Sequence, residues 1–142
     1  MKKFIGIIII LSMATSCRKR NGQFQFAGVW VIQKVEQVKY EEAKQTLDST
    51  ITNDSLGWFA FSKTLVEGYD LAQFKVDFTS FSGLKSDDAG KWEIDKHDGD
   101  RLIINGKAYT RERQIGGEKW TWVSSPQSGV YYTRETIFVK KQ

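Results

Sequence analysis

Hydrophobic and polar residues alternate with a period of two along most of this chain. Phe74, Val76 and Phe78 fall on one phase and Lys75, Asp77 and Thr79 on the other, the signature of a strand with one buried face. Trp92 and Ile94 alternate with Lys91, Glu93 and Asp95, and Leu102 and Ile104 continue the pattern. Trp120 and Trp122 alternate with Lys119, Thr121 and Val123. The stretch Tyr131 to Lys140 is rich in the β-branched and aromatic types that strands favour. No long stretch keeps a helical period.

The punctuation between these runs is that of hairpins. Asp98-Gly99-Asp100, Asn105-Gly106 and Gly116-Gly117 separate consecutive runs, and Pro126 to Gly129 makes a last turn. Asn-Gly, Asp-Gly and Gly-Gly supply the positive φ that tight hairpin turns require. The back half thus predicts consecutive antiparallel strands at 89–96, 101–105, 107–114, 118–124 and 130–140, and further strands at 27–39, 57–62 and 72–82 bring the count to about eight. The fold class this implies is all-β: an up-and-down antiparallel meander that removes its exposed edges by closing into a small barrel. Glu41 to Ser55 is polar and reads as a long loop after the first strand, with a helical turn favoured over Glu42 to Leu47. Loops of that length are usually functional or disordered.

The N-terminus changes the picture. Lys2 and Lys3 precede an apolar run from Phe4 to Leu11, and the small residues Ser12, Ala14, Thr15 and Ser16 follow. This is the order of an export signal, and the apolar run is well short of the roughly 20 residues a membrane-spanning helix needs. The only cysteine, Cys17, comes directly after it. Leu11-Ser12-Met13-Ala14-Thr15-Ser16-Cys17 resembles the lipobox of bacterial lipoproteins. The resemblance implies cleavage before Cys17 and diacylglycerol on its thiol, anchoring the chain to a membrane. The domain organisation is then a signal peptide at 1–16, a tether at 17–25 and a single domain at 26–142. The alternative is an ordinary exported protein with one free thiol, which needs a separate reason to carry it. Removing residues 1–16 deletes two lysines and no acid, so the net charge falls from +4 to +2. The basic balance of the precursor is therefore no argument for nucleic acid. No disulfide can form within a monomer, so stability must come from the core.

Gly28-Val29-Trp30 opens the first strand and resembles the Gly-x-Trp signature of the lipocalins. The run from Gly90 to Asp95, then Asp100 to Ile104, Tyr109, the Trp120/Trp122 strand and a Thr-Arg-rich last strand are similar to lipocalin-like lipoproteins of the Bacteroidota. The resemblance implies a calycin-like barrel in which Gly28 and Trp30 form a structural plug at a closed end. A cation from Arg134, Lys140 or Lys141 is expected over the indole. The first loop, Glu41 to Ser55, is expected across the open mouth.

Catalytic chemistry finds little material. His97 is the only histidine and falls in a turn, where it is expected to be solvated. No Gly-x-Ser-x-Gly elbow accompanies the serines. Asp95, Asp98 and Asp100 cluster near that turn, but His97 and Gly99 occupy positions a calcium loop would give to ligands. Asp87-Asp88 is a pair without a partner. No metal, no cofactor and no enzymatic activity are expected.

If the barrel is hollow, its walls are expected from Phe74, Val76, Phe78, Trp92, Ile94, Trp120 and Trp122, with Tyr109 and Arg111 as polar contacts. Tyr109 and Arg111 share one strand face. If that face points inward, Arg111 needs a carboxylate partner or an anionic ligand; if outward, it is solvated. Bulky aromatics such as those of Gly57-Trp58-Phe59-Ala60-Phe61 favour a filled barrel or a narrow cavity. Two functional readings follow. The first is a lipid-anchored, lipocalin-like module binding a small hydrophobic or amphipathic ligand, for instance a fatty acid. The second is a lipoprotein acting through its outer surface as an accessory subunit or envelope-maintenance factor. Cell-surface lipoproteins of the Bacteroidota carry acidic residues just after the lipidated cysteine. Arg18, Lys19 and Arg20 stand there instead, so the expected address is the outer membrane, facing the periplasm.

Overall fold

The computed structural model describes residues 25–53, 55–65, 70–85, 89–95, 97–124 and 131–142. The expected signal peptide, Cys17 and nearly all of the expected tether lie outside the described residues, as do Asp87-Asp88 and the turn expected at Pro126. The strands are β1 (Gly28–Glu41), β2 (Lys44–Ile51), β3 (Gly57–Ser62), β4 (Leu71–Val76), β5 (Ala89–Ile94), β6 (Arg101–Ile104), β7 (Lys107–Gln114), β8 (Gly117–Val123) and β9 (Tyr132–Lys141). All pairings are antiparallel, in the order β2-β1-β3-β4-β5-β6-β7-β8-β9, and β1 also pairs with β9. Eight strands therefore close into a barrel, and β2 is added outside the ring. This is the all-β meander the alternation predicts, and it is consistent with a lipocalin-like fold.

Three elements differ from expectation. Glu41 to Ser55 is not a loop with a helical turn: most of it is β2, paired to β1 from Val35↔Ile51 to Glu41↔Lys44. The turn is Glu42-Ala43, both at positive φ (54° and 60°), a conformation that usually selects Gly or Asn. β2 also escapes a period-two reading because nearly all its side chains are exposed on both faces. The strand expected at 72–82 ends at Val76. Phe78 sits in the following bend, half-buried and packed on the core. Gly117 belongs to β8 rather than to the turn, which is Ile115-Gly116. A Cβ at Gly117 would lie 2.1 Å from the Val139 carbonyl oxygen, so only glycine lets β8 and β9 approach there.

β1 is long enough to serve two partners on one edge. Gly28 to Val31 pair with β3, and Val35 to Glu41 pair with β2. On its other edge the register to β9 shifts between Ile32 and Lys34. This bulge leaves Gln33 outside the ladder and bends the strand. It also flips the phase: Trp30 and Ile32 point inward before it, Val35 and Gln37 after it.

Candidate functional site

The first end of the barrel is an aromatic plug. Trp30 is buried, and its indole Nε1–H donates to the Phe26 carbonyl oxygen at 2.8 Å. Phe26 lies with its ring centroid 5.0 Å from Trp30, 5.1 Å from Phe61, 5.4 Å from Trp92 and 5.8 Å from Trp120. Such offset and tilted pairs add about 0.5–1.5 kcal/mol each beyond area burial. Of the three cations expected over Trp30, Lys141 is the one present, with Nζ 6.0 Å from the ring centroid. The same ammonium donates to the Gln25 carbonyl oxygen, tying the chain entry to the last strand. Gly28, at φ +133°, passes beneath that side chain; a Cβ would meet the Lys141 Cε at 3.1 Å.

Arg111 belongs to this end as well. Its Nε and Nη2 donate to the two carboxylate oxygens of Glu118 at 3.0 and 2.6 Å, and Nη1 donates to the Gly99 carbonyl oxygen. The guanidinium also stacks over the Phe26 ring at 4.5 Å. Glu118 accepts a third bond from Trp120 Nε1 at 2.9 Å. The inward-facing alternative thus holds, with a carboxylate partner supplied by the chain itself. Arg111→Ala leaves Glu118 buried with both guanidinium bonds gone and the Trp120 indole N–H as its remaining partner. Because the pair is partly open to solvent (15% and 8% exposed side chains), the expected cost is about 2 kcal/mol. It is measured as a shift of the denaturation midpoint, and a shift below the noise would show the pair idle.

The other end is covered by residues 77–85, which follow β4. Along β1, Gln37 lies seven residues beyond Trp30, about 20 Å away at the rise of a strand. Glu135 of β9 pairs with it and is wholly buried, at 0% exposure. Glu135 accepts from Gln37 Nε2 at 2.8 Å, from Ser80 Oγ at 2.8 Å and from the Phe81 backbone N–H at 2.8 Å. Gln37 Nε2 also donates to the Thr79 carbonyl oxygen at 2.7 Å. Ser82 Oγ shares a 2.5 Å hydrogen bond with the Tyr109 hydroxyl, and Leu84 is buried in the core. One inward carboxyl group thus fastens a segment that arrives from β4, and Tyr109 seats its far end.

Burial raises the Tyr109 phenol well above its usual value, with the nearby Glu135 charge adding to the shift and the Ser82 hydrogen bond opposing it. The unfolded chain releases this proton near pH 10 and the folded chain keeps it. Stability from this group is therefore full below pH 10 and falls as pH climbs beyond it. Tyr109→Phe should flatten that alkaline slope in melting curves recorded against pH; an unchanged slope would assign it elsewhere.

Of the expected wall residues, Phe74, Val76, Trp92, Ile94 and Trp120 are buried in one cluster together with Tyr109, and Phe78 and Trp122 pack against it half-buried. Trp92 Nε1 donates to the Ser62 carbonyl oxygen at 3.0 Å. The structure gathers these residues into the barrel interior, but Arg111 lies at the plugged end and Tyr109 at the covered one. Sequence reading missed Glu135, Gln37, Glu118 and Phe26. Glu135 shares a phase with Ile137 and Val139, Glu118 with Trp120, and Gln37 with Val35 once the bulge is allowed for; that phase was the signal. His97 is exposed, in the turn where it was expected. Among the described residues no group of three or more His, Cys, Asp or Glu converges. No family model, no curated protein and no solved structure matches the chain. The class the geometry defines is a closed, eight-stranded antiparallel barrel with one extra strand, an architecture compatible with binding a small ligand.

Proposed function

We propose that this is a lipid-anchored envelope lipoprotein whose lipocalin-like barrel is filled by its own side chains and acts through its outer surface, as an accessory subunit or envelope-maintenance factor. The observation that carries the reading is the self-satisfaction of the interior. Tyr109 and Arg111, the polar groups a ligand would be expected to meet, already bond to Ser82 and Glu118. Among the described residues no buried side-chain polar atom lacks a partner. An amphiphile would have to displace those bonds, whereas a preformed site offers its polar groups free.

The anchor part of the proposal rests on the lipobox-like segment ending at Cys17, and the kinship proposed is with lipocalin-like lipoproteins of the Bacteroidota. Arg18, Lys19 and Arg20 favour the periplasmic face of the outer membrane. Their charges add attraction to anionic headgroups of about 1 kcal/mol each. Cys17→Ser should yield either an uncleaved precursor, seen by its larger mass, or a cleaved, unacylated product that leaves the membrane fraction. Full retention of the cleaved variant with membranes would sink the anchor.

A second reading keeps a small hydrophobic or amphipathic ligand beneath residues 77–85. It is favoured by the nature of that cover, an irregular segment held by side-chain hydrogen bonds rather than by strand pairing.

A further inference from the structure

Two aliphatic side chains at the plugged end stand in full solvent. Ile115 caps the β7–β8 hairpin at 109% relative exposure, and Leu65 stands in the β3–β4 connection at 88%. Single exposed apolar residues are ordinary. What sets these apart is where they sit relative to the chain's entry. Both project from the end of the barrel at which β3, β7 and β9 finish and β1 begins. At that same end Gln25 is held by Lys141. Leu71, at the start of β4, adds a half-exposed apolar side chain to the same rim.

The length of chain ahead of Gln25 limits where this end can be. Cys17 precedes Gln25 by eight residues, which span at most about 28 Å fully extended. Arg18, Lys19 and Arg20 occupy the first three positions of that span and are drawn to anionic headgroups. A charged tether pulled onto the surface shortens the reach further and brings the plugged end down with it. The charge nearest the hairpin tip is cationic and suits that approach, while exposed Asp98 and Asp100 stand further round the same end in the β5–β6 turn and Glu112 is paired to Lys119. Arg113 is exposed one turn of the ladder below Ile115, and Lys140 is exposed on β9 with its Cα beside Gly117. An exposed aliphatic tip with cations beside it is the pattern of a group that enters the headgroup and acyl boundary while its neighbours stay with the phosphates.

We infer that the plugged end is a membrane-docking face, with Ile115 and Leu65 seated in the interfacial layer of a phospholipid bilayer and the covered end, with Glu135 beneath it, turned to the aqueous side. This rests on the lipid anchor proposed above for Cys17. It goes beyond that anchor by giving the barrel a fixed orientation. The covered end and the β1–β2 hairpin then become the surface offered to a partner.

The test uses the full, natively processed protein in vesicles of phosphatidylethanolamine and phosphatidylglycerol. A nitroxide is placed at Ile115→Cys, or at Asp48→Cys on β2 as the reference. Both positions are exposed, so the labels leave the core untouched. The nitroxide at 115 should be accessible to oxygen and lose accessibility to a water-soluble nickel chelate, while that at 48 remains accessible to nickel. Adding Leu65→Asp should restore part of the nickel accessibility at 115. Equal nickel accessibility at 115 and 48 on vesicles would overturn the proposal, and protection at 115 seen only in intact envelopes would give the face to a protein partner instead. Labelling stoichiometry separates this failure from that of the anchor. An acylated Cys17 leaves one reactive thiol per chain, whereas two labels per chain would show that Cys17 carries no lipid.

Discussion

Trp30→Ala is expected to cost about 3–5 kcal/mol of folding free energy, the range for truncating a large aromatic in a packed core. The indole contributes more than area. It donates to the Phe26 carbonyl oxygen, its ring lies 5.6 Å from Trp120, and it receives the Lys141 ammonium. Truncation orphans a buried carbonyl and opens a void among rings that cannot collapse without moving β1. Trp30→Phe separates the two effects. It keeps a six-membered ring in place but loses the hydrogen bond and the pyrrole part of the indole, so it should cost less than the truncation, about 1–3 kcal/mol. Urea denaturation of both variants provides the measurement. A loss under about 1 kcal/mol for Trp30→Ala would mean that the plug is not the keystone of this end.

Glu135→Ala should act at the opposite end and in a different way. Gln37 and Ser80 keep the Thr79 carbonyl and the Ser82 hydroxyl as other partners, but the Phe81 N–H loses its acceptor. The part-buried Phe81 donor costs about 1 kcal/mol when orphaned, the low end of the range for buried groups, and the cavity left by the wholly buried side chain raises the total to about 2–4 kcal/mol. Residues 77–85 would then lose their attachment to β9. The amide of Phe81 should become unprotected in hydrogen exchange while those of β8 and β9 keep their protection. Exposure of Phe78, Val76 and Trp122 should also bring binding of a hydrophobic dye that the parent protein lacks. Retained protection at Phe81 would show that the cover is fastened by its apolar contacts, with Leu84 foremost.

The two sites differ in how legible they are in the sequence. Phe74, Val76, Trp92, Trp120 and the Asn105-Gly106 turn were readable because one-sided burial imposes a period of two and a tight hairpin demands positive φ. Asn105 and Gly106 do adopt it, at φ 51° and 77°. β2 was not readable, since a strand exposed on both faces carries no alternation and its Glu42-Ala43 turn lacks the usual residues. Gln37 was hidden by the bulge at Gln33, which reverses the phase midway through β1. Glu135 and Glu118 occupy inward phases but are acidic. Sequence pattern gives a buried carboxyl no partner, because the partners come from β1, from β7 and from the segment after β4. The cover itself is a tertiary feature: nothing local in Thr79 to Leu84 announces that it crosses to β9.

The measurement that bears most directly on the account is native mass spectrometry of the protein purified from its own cells. A filled barrel on a lipid anchor predicts the mass of residues 17–142 plus the covalent lipid on Cys17, with nothing further held. A second, non-covalent amphiphile retained in stoichiometric amount would contradict the filled barrel and restore ligand binding as the function of this fold.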